Sequence, residues 1–102
     1  MNYSSAYSVW FDAGHRYKVT VEWSREGFAE TDSKDWDRVR DHIDALAREL
    51  RNRDLVKMLG PHHPSAYGIA SFFMDRLNIN VNVLRVEVHE SDGPIAIIEH
   101  HD

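Results

Sequence analysis

The strongest constraint on the fold is one alternation: Tyr17, Val19, Val21 and Trp23 against Lys18, Thr20 and Glu22. Successive side chains on a strand point to opposite faces, so this segment is a strand with one apolar and one polar face. Just before it, Tyr7 to Phe11 alternates Tyr7, Val9 and Phe11 against Ser8 and Trp10, and Asp12-Ala13-Gly14 reads as a tight connection between two strands.

A helical pair is expected next. Gly27 to Asp32 reads as a loop, with Asp32 or Ser33 able to accept the free N–H groups that open a helix. Trp36, Val39, Ile43, Leu46, Ala47 and Leu50 then recur at spacings of three and four, which predicts an amphipathic helix to about Asn52. Its other face, with Asp37, Arg38, Asp41, Arg48 and Glu49, reads as a solvated surface. Gly60 and Pro61 punctuate the chain, and Pro64 at a first helical position, after His63 as cap, opens a second helix. Ala66, Ile69, Ala70, Phe73 and Leu77 mark its buried stripe, widened by Phe72 and Met74 for packing.

The apolar parity of the next strand slips. Ile79, Val81 and Val83 are odd positions, whereas Leu84, Val86 and Val88 are even. A β-bulge near Val83–Leu84, or a loop ending there, accounts for it. Ser91-Asp92-Gly93-Pro94 holds the Asp-Gly pair of a hairpin turn, and Ile95 to Ile98 forms a last strand. The expected fold is thus α+β: a four-stranded antiparallel sheet with two helices on one face, in the order ββααββ, as a single domain over residues 1–102. Free sheet edges expose backbone groups that pairing between subunits would satisfy, so an oligomer is expected.

Composition removes several classes of function. The net charge is −5 with no block of Lys or Arg, which argues against nucleic acid as a partner. No apolar run nears the roughly 18 residues of a membrane span, and the amino terminus lacks a signal-peptide layout. The absence of cysteine excludes disulfides, thiolate metal sites and thiol nucleophiles, and a cytoplasmic location is the simplest expectation. A domain of this size has limited room for an internal cavity, which favours a site at the surface or between subunits.

Glu90 is the residue that points to chemistry. It ends the strand face formed by Leu84, Val86 and Val88. A carboxylate aimed at a core face loses solvation unless something donates hydrogen bonds to it. Either Glu90 reaches solvent at the strand end, or it closes a pocket and meets a ligand with paired N–H donors.

Three local sequences carry a resemblance: Phe11-Asp12-Ala13-Gly14-His15-Arg16-Tyr17-Lys18-Val19, Pro64-Ser65-Ala66-Tyr67 and Val86-Glu87-Val88-His89-Glu90-Ser91. In this order, over nearly the whole chain, they resemble the tunnelling-fold family of 6-pyruvoyl-tetrahydropterin and 6-carboxytetrahydropterin synthases. The resemblance implies that Glu90 anchors a pterin ring, with Ser91 beside it. A carboxylate offers two acceptor oxygens, and an aminopyrimidinone edge offers two parallel N–H donors. Ser65 matches a family threonine at the start of the second helix, where a hydroxyl and free backbone N–H groups can reach a ring heteroatom. The expected ligand-binding set is Glu90, Ser91, Ser65, Tyr67 and His15, at a subunit interface of a homo-oligomer.

The departures are as informative. Family enzymes hold zinc with three histidines, and only His15 remains in the matching region. One imidazole does not make a catalytic zinc site, so no metal or other cofactor is expected. Arg51 and Asn52 stand where the family carries an Asp-His pair, and Tyr67 replaces an acidic residue. The adjacent pairs His62-His63 and His100-His101 point apart on extended chain, His42 is a boundary residue, and His89 should face away from Glu90. No catalytic residue is assigned. Three functions follow: a degenerate relative binding a pterin, purine or similar aminopyrimidine, with His15, His63 or Tyr67 available for acid–base chemistry; a non-catalytic scaffold with Glu90 paired to a cation across an interface; or a pterin-synthase-type lyase whose zinc site is rebuilt from dispersed histidines.

Overall fold

The computed structural model describes residues 4–24, 33–51, 65–79, 81–91, 93 and 95–99. Within them lie β1 (Ser4–Ala13), β2 (His15–Ser24), α1 (Ser33–Leu50), α2 (Ala66–Leu77), β3 (Val83–Glu90) and β4 (Ile95–Glu99). The strands form one antiparallel sheet in the order β1-β2-β3-β4. The α+β class expected from the sequence, four antiparallel strands with two helices, is the class observed.

The sheet is two-sided in the way the alternation demands. Tyr17, Val19, Val21 and Trp23 of β2 are buried, together with Val9, Phe11 and Ala13 of β1 and Val83, Val86 and Val88 of β3. Onto this face α1 packs against β1, and α2 against β3 and β4. The α1 stripe of Val39, Ile43, Leu46, Ala47 and Leu50 and the α2 stripe of Ile69, Ala70, Phe73 and Leu77 complete the core. Burying each large apolar side chain contributes about 1.5–3 kcal/mol, so the twofold period of the strands and the 3.6-residue period of the helices are satisfied by the same layer.

Boundaries moved at several points. β1 and β2 extend past the expected Tyr7–Phe11 and Tyr17–Trp23, and their pairing runs to Ala13↔His15. The connection is therefore Gly14, whose φ of +84° lies in the left-handed region that glycine occupies without steric cost. The second helix is capped by Ser65, whose Oγ accepts from the Gly68 N–H at 3.3 Å, and it begins at Ala66. A short hydroxyl side chain can fold back to the third amide, which explains why Ser65 caps. The start expected at Pro64, with His63 as cap, falls outside the described residues, as do the loop placed over Gly27–Asp32, the cap at Asp32, the Gly60-Pro61 punctuation and both histidine pairs.

The parity slip is a bulge. Glu22 pairs with Arg85, but Trp23 pairs with Val83, so Leu84 is an extra residue on β3. One inserted residue passes the inward direction from even to odd positions. Val83 consequently takes the fully buried place, and Leu84 is only half-buried, unlike the expectation that it shares the face of Val86 and Val88. Ile79 is not on a strand at all: it follows the α2 C-cap residue Asn78 and is exposed.

Candidate functional site

The site assembles where β2 leaves Gly14 and β3 ends. Tyr17 and Glu90 are Cα partners across the two strands. Beyond them the Ser91 N–H donates to the Arg16 carbonyl at 2.9 Å, so the end of β3 remains tied to β2 past the last ladder pair. Glu90 shares parity with Val86 and Val88, and its side chain is 16% exposed, which places the carboxylate at the rim of the helix-facing layer.

Three groups frame that carboxylate. His15 Nδ1 lies 3.6 Å from Glu90 Oε1, and the His15 ring is mostly exposed. The buried ring of Tyr17 meets His15 edge-on at 6.4 Å and stacks on Phe11 at 5.5 Å, and Phe11 stacks on Phe73 of α2. Burial first, and the Glu90 charge second, raise the Tyr17 pKa above the ordinary tyrosine value, so Tyr17 is a neutral phenol. On the remaining side, the Glu90 side chain folds over Gly93, whose N–H donates to the Glu90 carbonyl at 3.1 Å.

Gly93 corrects the turn chemistry. An Asp-Gly pair in a two-residue hairpin needs positive φ at both central positions. The last β3–β4 pair is His89↔Ile95, which leaves a longer connection, and among the described glycines only Gly14 has positive φ. A Cβ on Gly93 would approach Glu90 Cδ to 3.0 Å, Cγ to 3.1 Å and Oε2 to 3.2 Å. A side chain at position 93 would therefore press on the glutamate side chain, which must give by a few tenths of an ångström, while the backbone angle makes no demand for glycine.

Of the five expected ligand-binding residues, the structure brings Glu90, His15 and the Ser91 backbone together. The Ser91 side chain is exposed. Ser65 is engaged as the α2 cap, and Tyr67, in the first turn of α2, is 62% exposed. Among the described residues no hydrogen bond or ion pair joins Ser65 or Tyr67 to Glu90. His89 faces the opposite side of the sheet, as alternation requires. There it contacts Glu87, which also binds Arg85 at 3.0 Å, and the His89 hydrogen bond is the main cause holding the Glu87 carboxyl below the usual range.

Two features escaped the sequence reading. The first is Tyr17 beside Glu90, which follows only from the β2–β3 register. The second is a groove of about 510 Å³ between β1 and α1, lined by Tyr7, Trp10, Asp44, Arg48 and Arg51 among others. There the Tyr7 hydroxyl donates to Asp44 Oδ1 at 2.9 Å, while Arg48 is exposed, as the solvated face requires. Asp44 beside the buried Ile43, like the boundary residue His42, was a visible sign that polar groups border this stripe.

Among the described residues, which do not include His62, His63, His100 or His101, no three His, Asp or Glu side chains converge on a common point. No helix among them is long and apolar enough to cross a membrane. No protein-family model and no curated protein matches this chain.

Proposed function

We propose that this protein binds a pterin, purine or related aminopyrimidine through the Glu90 carboxylate, as a divergent relative of the pterin synthases in which the zinc-dependent chemistry is lost or replaced. The single observation that carries this reading is the placement of Glu90: a half-buried acid at the rim of an aromatic layer, with Tyr17 opposite and His15 at 3.6 Å. A carboxylate in such surroundings gains from a planar donor pair more than one in bulk water does, because the local dielectric is lower. The exposed His15 ring, held edge-on against the buried Tyr17, supplies a flat surface beside which a heterocycle can rest. In this reading the protein is a homo-oligomer, and a second subunit closes the open side of the site.

The test is ligand-dependent stabilisation, since a ligand that binds only the folded form raises the melting temperature. Pterin, neopterin and guanine should each raise the Tm of the wild type, and Glu90→Gln should abolish most of the rise. A flat response to every one of them at saturating concentration would remove the proposal.

One observation favours a second reading. Glu90 sits at the rim of the helix-facing layer with His15 at 3.6 Å, where a lysine or arginine of a second subunit can pair with the acid in a non-catalytic scaffold. In that case His15→Ala and Glu90→Gln should change oligomeric state in ultracentrifugation, with no heterocycle stabilising either form.

A further inference from the structure

We infer that Gly93 is a specificity-determining residue of the Glu90 site, keeping Oε2 free so that the carboxylate can accept two parallel N–H donors at once. This inference rests on the reading of Glu90 as a heterocycle anchor. Its geometry is independent of that reading.

The two carboxylate oxygens face different neighbours. Oε1 is turned toward His15 Nδ1 at 3.6 Å, whereas Oε2 lies on the Gly93 side, where an added Cβ would stand 3.2 Å away. The same Cβ would press on Cδ at 3.0 Å and Cγ at 3.1 Å, closer than ordinary carbon–carbon contact. A side chain at position 93 therefore does two things: it shifts the carboxyl group by a few tenths of an ångström, and it crowds Oε2. The backbone does not object, since Gly93 lies outside the left-handed region. A hairpin with alanine here closes normally, and the effect falls on the acid.

The chemical consequence is selective. A ring edge with two donors, such as the N3–H and 2-amino group of pterin, needs both oxygens in one plane. A ring lacking the amino group needs one. Crowding Oε2 thus weakens the first ligand more than the second, because only the first depends on a charge-assisted hydrogen bond to that oxygen.

The experiment compares pterin with pteridin-4-one, which lacks the 2-amino group, by calorimetric titration of wild type, Gly93→Ala, Gly93→Val and Glu90→Gln. Wild type should prefer pterin; Gly93→Ala should lose about tenfold in pterin affinity, the loss of one hydrogen bond to a charged group, with a smaller loss for pteridin-4-one. Gly93→Val should approach Glu90→Gln. The Glu90 side-chain carboxyl ¹³C resonance, identified by its loss in Glu90→Gln, should move in Gly93→Ala, and circular dichroism should stay unchanged. Equal pterin affinities in wild type and Gly93→Ala would overturn this inference while leaving the anchor intact. Failure of wild type to bind pterin would overturn both.

Discussion

Tyr17 and Glu90 stand directly opposite each other on β2 and β3, a buried phenol facing a half-buried carboxylate. The pairing couples their charges. Tyr17 is held neutral mainly because its ring is buried and secondarily because the nearby acid disfavours a phenolate. It also sets the floor of the candidate site, since Tyr17 is stacked through Phe11 onto Phe73 of α2 and cannot swing away without opening the core.

Glu90→Gln should lower the Tyr17 pKa, read by tyrosinate absorbance against a Tyr17→Phe control. A group whose pKa is raised in the folded state contributes stability below its unfolded value, near 10, and loses it as pH rises through the folded value. Tyr17→Phe should therefore flatten the decline of stability above pH ~10. An unchanged alkaline slope would show that Tyr17 ionises as freely in the fold as out of it.

Tyr7 tests the groove between β1 and α1. Its hydroxyl donates to Asp44 Oδ1, and its ring meets Trp36 edge-on at 5.9 Å. Tyr7→Phe keeps the ring contact and removes the hydrogen bond to a carboxylate, so urea denaturation should show a loss of about 1–3 kcal/mol. A loss below ~0.3 kcal/mol would mean that water replaces the hydroxyl at no cost.

Ser65 separates capping from ligand binding. Ser65→Ala removes the acceptor for the Gly68 N–H and should cost about 1 kcal/mol without any ligand. If Ser65 also reaches the heterocycle, pterin affinity should fall as well, and calorimetry on Ser65→Ala against Ser65→Asp, which retains a cap, distinguishes the two roles.

On the open face of the sheet, Glu87 is held below the usual carboxylate range, chiefly by His89 and further by Arg85. A depressed pKa contributes stability above the unfolded value, about 4.5, and loses it as pH falls through the folded value. His89→Ala should shrink the acid-dependent part of the stability below pH ~4.5, as followed by urea midpoints across that range. Identical pH profiles for the two proteins would dismiss the His89–Glu87 contact as a contributor.

Much of the architecture is legible in local pattern, for a physical reason. Tyr17-Val19-Val21-Trp23 and Ile43-Leu46-Ala47-Leu50 carry their periods within a single element, and burial on one face follows from the period alone. The slip between Val83 and Leu84 was visible in the same way, because an extra residue must reverse the parity of everything beyond it. Element ends were less legible. That Ser65 caps α2 depends on which side chain reaches a particular amide, a matter of ångströms that spacing does not encode.

The site divides along the same line. That Glu90 continues the inward row of Val86 and Val88, and that His89 points the other way, was determined by the chain itself, since neighbours on a strand have no alternative. That Tyr17 lies opposite Glu90, that His15 approaches Oε1, and that the Glu90 side chain folds over Gly93 were decided only by tertiary structure. Register between strands and the path of a side chain over a turn depend on contacts among residues distant in sequence, and no local period contains that information.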